Sequence, residues 1–287
     1  MNKTPAPTRK LNPKIPEGIN SSTEHPLKEF MQLVIGVGIL LVVLMFTLGL
    51  LAKLFAHHIP FTWEPKLQLT DTEQTAYPQA QQTLEELLTR LEQAQPVLKD
   101  ATIEYKIHLM DSDVPNAFAT LGGQIYINRG LLDHVESENG LAMVIAHEMA
   151  HVQLRHPIKA FSQNAVFQLV TGLVFGDSAI TGIASHTGML TFLSFSRDME
   201  READQIGLQT LAAAYGHTQG ATEFFESMSS RKQDSIEFFQ THPDTEERIK
   251  VLTATQQIQQ THKGLAPLPE SLRVLRESST DGKDSKF

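Results

Sequence analysis

The stretch "LAMVIAHEMAHVQLRHP", residues 141–157, carries two histidines and a glutamate in a run that is otherwise largely apolar. Residues 141–146 are apolar on nearly every face of a helix, which is typical of a buried helix. Burying imidazole rings and a carboxylate without partners costs several kcal/mol. The stretch therefore predicts a buried helix whose polar groups pair with one another or surround a cation. Ser137 or Asn139 can cap the start of this helix, and Pro157 is expected to stop it.

The spacing of the polar residues favours a cation. His147 and His151 lie one turn apart on the same face, so their ring nitrogens can converge on one ion at about 2.0 to 2.1 Å. Glu148 lies about 100° further round the helix, where its carboxylate can take a proton from a metal-bound water. This is the HExxH pattern of zinc hydrolases. The alternative interpretation is a partly exposed polar stripe.

A catalytic zinc needs a third protein ligand from another element. The segment "FSRDMEREADQIGLQTLAAA", residues 195–214, predicts a second helix with Glu200 and Asp204 on one face. Glu200 is the candidate ligand, and Asp204 is the candidate partner of a ligand histidine's other ring nitrogen. Glu202 points to the opposite side and is expected to be solvated. The alternative is a charged surface helix with i,i+4 pairs.

Four separated motifs carry a resemblance to a known family. They are "NAFATLGGQIYINRGLL" (116–132), "HEMAH" (147–151), "SRDMEREAD" (196–204) and "HPDTEER" (242–248). Together they resemble the membrane-associated gluzincins, the family of the heat-shock protease HtpX, the CAAX prenyl proteases and the Oma-type proteases. The similarity covers about residues 75–258 and is closest to single-domain bacterial members. The chain departs from HtpX and the prenyl proteases in having one clear transmembrane span. No tetratricopeptide-like repeat follows the peptidase region of this sequence.

The resemblance implies a zincin-like peptidase fold and hydrolysis of peptide bonds, often in membrane or misfolded envelope proteins. It implies one Zn²⁺ per chain, held by His147, His151 and Glu200. Glu148 matches the catalytic glutamate of the family, and Asp204 matches the acid that follows the third ligand. His242 and Arg248 match residues that lie near the active site. His242 precedes Pro243 at a predicted helix start. It is expected to donate a hydrogen bond to the oxyanion of the reaction, or else to be a surface histidine. His156 is expected to be structural.

Composition excludes several other functions. The first 52 residues contain five basic and three acidic groups, which leaves 19 basic and 30 acidic groups in the remainder, a net charge of −11. An acidic body argues against binding to nucleic acid or to an anionic lipid surface. The chain has no cysteine, so disulfides are excluded and any metal must be held by nitrogen and oxygen.

Residues 33–52 predict a transmembrane anchor. They form an uncharged run of twenty residues in which only Thr47 is polar, and a helix of this length spans a bilayer core of about 30 Å. A buried core helix and a cleavable signal peptide are the alternatives. Five basic residues precede the run, whereas only Lys53 and Lys66 follow it closely. This bias predicts a single-pass protein of the cytoplasmic (inner) membrane, with a cytoplasmic N-terminus and a catalytic domain on the periplasmic or extracytoplasmic side.

The rest of the pattern predicts a mainly helical α+β domain with a small sheet near its start. We expect a disordered tail over 1–32, the anchor over 33–52, a metallopeptidase domain over 70–260 and a polar tail over 261–287. An amphipathic helix is predicted within 71–99 by leucines at 84, 87, 88 and 91, and a strand by the alternation at 102–109.

Two further segments are predicted less uniquely. Residues 124–128 predict either an edge strand that pairs with extended substrate or a plain core strand. Residues 165–195 predict a buried or lid-forming helical pair, since neither half reaches the length of a span. The alternative is a hairpin that dips into the membrane, because the anchor keeps the domain near the bilayer.

The sequence thus predicts a membrane-anchored zinc endopeptidase that acts on polypeptides. Two alternatives stay open. One is a non-catalytic, zinc-stabilised chaperone or scaffold, whose metal site would be closed by a fourth protein ligand. The other is a zinc hydrolase acting on a cell-wall amide. The pattern specifies neither the substrate nor the oligomeric state.

Overall fold

The computed structural model describes residues 26–56, 58–67, 76–95, 102–175, 195–230, 238, 241–243, 245–258 and 264–284. The chain divides into two compact units, 1–44 and 45–287, and the division falls inside the first helix. In the first unit the described residues, 26–44, are all helical. The second unit contains the sheet and the remaining helices.

Helix α1, Pro26–Ala56, is the apolar helix that the composition predicts. Leu27–Ala56 contains an 18-residue window with a mean hydropathy of 2.9 and no buried residue. Within the described part of the chain, this helix alone is long and apolar enough to cross a bilayer. It begins at Pro26, seven residues before the predicted span, because proline is favoured in a first helical turn. Residues 26–32 are therefore helical rather than part of a disordered tail.

The sheet has three strands, β1 (Lys106–Met110), β2 (Ala117–Ala119) and β3 (Gln124–Asn128). Their order is β1-β3-β2, with β1 parallel and β2 antiparallel to β3. Of the two alternatives for residues 124–128, the edge strand is therefore wrong and the plain core strand is correct, since β3 is central and β2 lies at an edge. All five residues of β3 are buried, as expected for a strand covered on both faces.

Helices cover this sheet and one another. They are α2 (Pro78–Ala94), α3 (Glu138–Gln153), α4 (His156–Phe175), α5 (Arg197–Tyr215), α6 (Glu223–Ser230), α7 (Thr245–Ile258) and α8 (Glu270–Asp284). The leucine stripe of α2 is buried, as its spacing predicts. The prediction of a mainly helical α+β fold with one small sheet is confirmed. Residues 176–194, which include nearly all of the second half of the predicted pair at 165–195, lie outside the described residues.

Helix α3 begins where the sequence predicts and ends earlier. The side chain of Ser137 caps it by accepting a hydrogen bond from the Gly140 amide at 3.0 Å. It ends at Gln153 rather than at Pro157, which lies in the first turn of α4. Between the two helices, Arg155 adopts a left-handed backbone with φ of 60°. This break ends α3 four residues before the proline, and a new helix begins at His156.

The C-terminal helix α8 corrects the prediction of a polar tail over 261–287. Leu272 and Leu275 are buried in the same hydrophobic core as the leucines of α2. Pro267 forms a bridge with Ser137, next to the start of α3. Only a few residues of α8 are apolar, but their spacing of three places them on one helical face. Because most residues of this segment are polar, its composition does not indicate the short apolar face.

We expect Leu272→Ala to lower the free energy of unfolding by about 2 to 5 kcal/mol, because it removes a fully buried side chain from the core. The control is Val274→Ala in the same helix, at a position that is 53% exposed and is expected to cost less than about 0.5 kcal/mol. Urea unfolding of both variants measures the difference. Equal midpoints would show that α8 is not part of the core.

Candidate metal and catalytic site

Helix α3 carries the first two candidate metal donors. His147 and His151 are both buried, and their Nε2 atoms lie 3.0 Å apart. Two imidazole nitrogens that face each other with lone pairs repel, so a proton or a metal cation is needed between them. The i,i+4 spacing of the HExxH pattern therefore produces the expected convergence of the two rings.

Helix α5 brings the third donor to the same point. Glu200 is fully buried, with Oε2 at 3.5 Å from Nε2 of His147 and Oε1 at 3.5 Å from Nε2 of His151. Gly207 permits this close approach, because a Cβ at that position would lie 3.3 Å from the backbone nitrogen of His147 and 3.1 Å from Met143. The side chain of Ser196 caps the start of α5 by accepting from the Met199 amide.

The donor spacing fits a zinc-sized ion. Two ligands at about 2.0 to 2.1 Å from a tetrahedral metal are separated by about 3.3 Å. The three separations among His147, His151 and Glu200 are 3.0, 3.5 and 3.5 Å. Two imidazoles and one carboxylate are also a donor set that zinc takes in catalytic sites. The residues present are therefore compatible with a bound zinc.

Carboxylates make this cluster attractive to a cation. Burial lowers the pKa of His147, but Asp204 and Glu200 outweigh it and raise that pKa to about 9. Burial alone would raise the pKa of Glu200, yet His242 and Arg248 hold that pKa well below its usual range. Glu200 is thus an ionised carboxylate, ready to act as a ligand.

Contacts behind the histidines orient both Nε2 atoms toward the cluster. Nδ1 of His147 lies 3.0 Å from Oδ1 of Asp204, a contact close enough for an ion pair but not aligned as a hydrogen bond. Nδ1 of His151 lies 3.0 Å from Nδ1 of His156, whose Nε2 is 3.3 Å from Oε2 of Glu202. Burial lowers the pKa of His156 to about 3, so its ring is neutral. With Glu202 accepting from Nε2 of that ring, its Nδ1 accepts from His151 and leaves the His151 Nε2 lone pair free.

His156 is not among the clustered donors, but it contacts a donor in a way that the sequence does not predict. A continuous helix would place it five residues from His151, off the ligand face. The chain breaks at Arg155, and the break returns His156 to His151. Glu202 is largely exposed, as expected, but it also contacts His156. No helical spacing in the sequence signals this contact.

Arg248 ties the carboxylates together. Its Nε and Nη2 atoms each donate to Asp204 at 2.7 Å, and its Nη1 lies 2.6 Å from Oε2 of Glu200. The guanidinium is buried and stacks over the ring of Phe225, with 4.8 Å to the ring centroid. Asp204 and Arg248 thus lie directly behind the candidate donors.

Asp204→Asn is expected to weaken metal affinity or activity by about 10- to 100-fold, because the amide supports His147 less well and pairs poorly with Arg248. Chelator competition and hydrolysis rates measure the two effects. The matched control is Asp198→Asn in the same helix. The side chain of Asp198 is 80% exposed and pairs with Arg201 rather than with a candidate metal donor. An Asp204 variant as tight and as active as the control would contradict the orienting role.

Glu148 lies beside the cluster of candidate donors and is not part of that cluster. Its side chain is buried, and burial raises the pKa of its carboxyl. The backbone of Ala119, in β2, hydrogen-bonds to the carboxylate, while Oε2 has no hydrogen-bond partner among the described residues. A carboxylate with a raised pKa and a vacant oxygen can accept a proton and return it.

His242 is buried between two glutamates. Its Nδ1 lies 3.2 Å from both carboxylate oxygens of Glu200, and its Nε2 lies 3.7 Å from Oε1 of Glu148. Ligand atoms of His147, His151, Glu200 and His242 all fall within 4.8 Å of one another. His242 is therefore not a surface histidine. It can serve as a hydrogen-bond donor near the donors or as a fourth metal donor.

Comparison with known proteins identifies the family of this chain. Residues 78–256 match the family described as "Peptidase family M48". Mitochondrial metalloendopeptidase OMA1 of Schizosaccharomyces pombe is 32% identical over 154 residues, which cover 52% of this chain and 45% of that protein. The beta-barrel assembly-enhancing protease of Escherichia coli K12 is 31% identical over 160 residues, which cover 50% of this chain and 33% of that protein. The chain thus spans less than half the length of these relatives.

The matched region contains every predicted site residue: His147, Glu148, His151, Glu200, Asp204, His242 and Arg248. It also covers more than half of the chain, and the relatives carry the names of proteases. The resemblance inferred from the four motifs is confirmed. The buried cluster of three histidines and one glutamate is consistent with the zincin-like fold that the motifs imply. This chain belongs to peptidase family M48.

Proposed function

We propose that this protein is a membrane-anchored zinc endopeptidase. The observation that carries the proposal is one arrangement: the buried donors His147, His151 and Glu200, with the proton-accepting carboxylate of Glu148 beside them. A site built only to hold a metal has no use for a buried carboxylate outside the donor set, since burying it costs free energy. Membership of a peptidase family supports the same conclusion.

The chain's own groups account for the proton transfers of peptide hydrolysis. A zinc ion bound by His147, His151 and Glu200 would supply Lewis acidity toward the scissile carbonyl and the attacking water. Oε2 of Glu148 accepts the proton of that water and delivers it to the leaving amine. His242 donates a hydrogen bond to the oxyanion that develops at the carbonyl. Strand β2 replaces β3 as the candidate partner for extended substrate, because it is at the edge and its Ala119 contacts Glu148.

One observation favours the alternative of a non-catalytic zinc site. His242 provides a fourth nitrogen within reach of the donors, and four protein ligands would close the coordination sphere. Nε2 of His242 also lies 3.7 Å from Oε1 of Glu148. A site that binds a metal only for stability does not need this contact. Peptide hydrolysis that depends on both metal and Glu148 would exclude the structural alternative.

The experiment combines metal analysis with two substrates. Purified full-length protein is analysed for zinc, and its hydrolysis of a broad peptide library is compared with that of purified cell wall. We expect one zinc per chain and cleavage of peptides, with the chelated protein inactive and zinc restoring the rate. Release of cell-wall fragments without cleavage of the peptide library would favour the alternative of a zinc hydrolase that acts on a cell-wall amide.

The membrane setting is proposed from α1. We infer a single-pass protein of the cytoplasmic membrane, with its N-terminus in the cytoplasm and its catalytic domain outside, acting on envelope or membrane-associated misfolded proteins. The excess of basic residues before the span supports this orientation. The relatives' names, which refer to mitochondria and to beta-barrel assembly, are compatible with a membrane setting. Reporter fusions at the C-terminus test the orientation, and a cytoplasmic signal would reverse it.

A further inference from the structure

Glu64 is a buried acid in the short segment that follows α1. The segment comprises residues 58–67 and includes the 3₁₀ helix Phe61–Leu67; we refer to it as the connector. Glu64 is only 3% exposed, although the connector is short and contains the exposed Trp63. A buried carboxylate is costly unless it is paired and hydrogen-bonded. Its partners therefore indicate what the connector does.

The Glu64 carboxylate joins two separate parts of the body. Oε2 accepts a hydrogen bond from the Gly122 amide at 2.9 Å. Oε1 accepts from Nε of Arg155 at 2.8 Å and lies 2.7 Å from its Nη2. Nη2 of Arg155 also donates to the carbonyl of Ile59 at 2.7 Å, within the connector itself. One carboxylate thus bridges the turn before β3 and the corner between α3 and α4.

The first of these partners leads to Glu148. Gly122 has φ of 70° in the turn between β2 and β3, and a Cβ there would lie 3.0 Å from Pro65 of the connector. Strand β2, which enters this turn, ends at Ala119, the residue that hydrogen-bonds to the carboxylate of Glu148. Glu64 therefore holds the turn three residues from the group that fixes Glu148.

The second partner leads to His151. Arg155 has φ of 60°, an uncommon conformation for a residue with a side chain, and its guanidinium lies over the ring of Phe61. The next residue, His156, contacts His151 at 3.0 Å. The contacts of Arg155 with the connector thus stabilise the corner that places His156 behind a candidate metal donor. Ala56, Leu121 and Ile158 form a small buried cluster alongside it.

We propose that Glu64 is a positioning residue of the active site. The connector then helps to hold the catalytic groups in place and does not only link α1 to the rest of the domain. This inference rests on the proposed peptidase function. The connector lies outside the region 78–256 that matches the family. Through Gly122 and Arg155, Glu64 keeps Glu148 and His151 in their relative positions. A shift of about 1 Å in such groups lowers turnover by up to about 100-fold.

The test uses the full-length protein in detergent, with Glu64→Ala and Glu64→Gln. We expect Glu64→Ala to lower kcat by about 10- to 100-fold while KM stays within about twofold. Glu64→Gln should fall between this variant and the wild type, because its amide oxygen can still accept from Gly122. The control is Leu272→Ala, which weakens the core away from the site and should keep the wild-type kcat at temperatures where it is folded. A folded Glu64→Ala protein with wild-type kcat overturns the inference.

A second variant and a second readout keep the test decisive. If Glu64→Ala does not fold, Arg155→Lys keeps the positive charge but loses the two-pronged contact with Glu64. It should show the same loss of kcat, and a wild-type kcat would contradict the inference. Hydrogen exchange gives a readout independent of activity. Glu64→Gln should speed exchange in residues 117–123 and 150–156 and not in α8. A wild type without peptidase activity refutes the proposed function, while unchanged exchange in both segments refutes the role of Glu64.

Discussion

Glu148→Gln lowers kcat/KM for peptide hydrolysis by about 10² to 10⁴, the range that a general base contributes. The amide keeps the size of the side chain but cannot accept a proton from water. Glu148 is not one of the donors around His147 and His151, so the variant should retain one zinc per chain. Its stability should not fall, because burial disfavours the charged form of this carboxyl.

The matched control for this variant is Glu92→Gln, which makes the same change on the exposed face of α2. Zinc content, circular dichroism and peptide hydrolysis are measured side by side for both variants and the wild type. A Glu148→Gln protein that loses its zinc would place Glu148 among the ligands. A variant that keeps both zinc and full turnover would remove Glu148 from the mechanism.

Glu200→Gln is expected to abolish stoichiometric zinc binding and to reduce peptidase activity to background. The substitution removes the only carboxylate among the four clustered donors and leaves His147 and His151 facing each other. It also takes one carboxylate from buried Arg248, and breaking such a buried pair costs about 3 to 5 kcal/mol. The variant should therefore unfold at lower temperature than the wild type, even after chelation of both proteins.

Two measurements separate the causes in this prediction. Zinc titration followed by chelator competition gives the loss of affinity, and thermal unfolding with and without chelator gives the loss of stability. Asp198→Asn in the same helix should match the wild type in both. A Glu200→Gln protein that retains one tightly bound zinc would exclude Glu200 from the ligand set.

Much of this site is predictable because helical spacing determines it. His147 and His151 meet because they are four residues apart on one continuous helix, and Glu148 falls beside them by the same geometry. Glu200 and Asp204 share a face of α5 for the same reason, and Gly207 marks the side that approaches α3. The arrangement within each helix follows from a regular backbone. The meeting of α3 with α5 does not follow from spacing, and the sequence indicates it only through the resemblance to the family.

The features that escaped prediction depend on irregular backbone or on long-range packing. The left-handed Arg155 ends α3 early and brings His156 to His151, yet neither residue type signals a break. The central place of β3 depends on how three short strands pair, which their alternation does not encode. Helix α8 contributes few apolar residues, and the buried state of Glu64 depends on Arg155, 91 positions away.

Zinc-edge anomalous diffraction from crystals of the full-length protein tests the central claim most directly. The account predicts one anomalous peak per chain, within about 2.0 to 2.2 Å of Nε2 of His147, Nε2 of His151 and an oxygen of Glu200. Glu148 should lie outside that distance. A peak elsewhere, or a zinc-loaded protein in which Glu200 does not touch the metal, would contradict it.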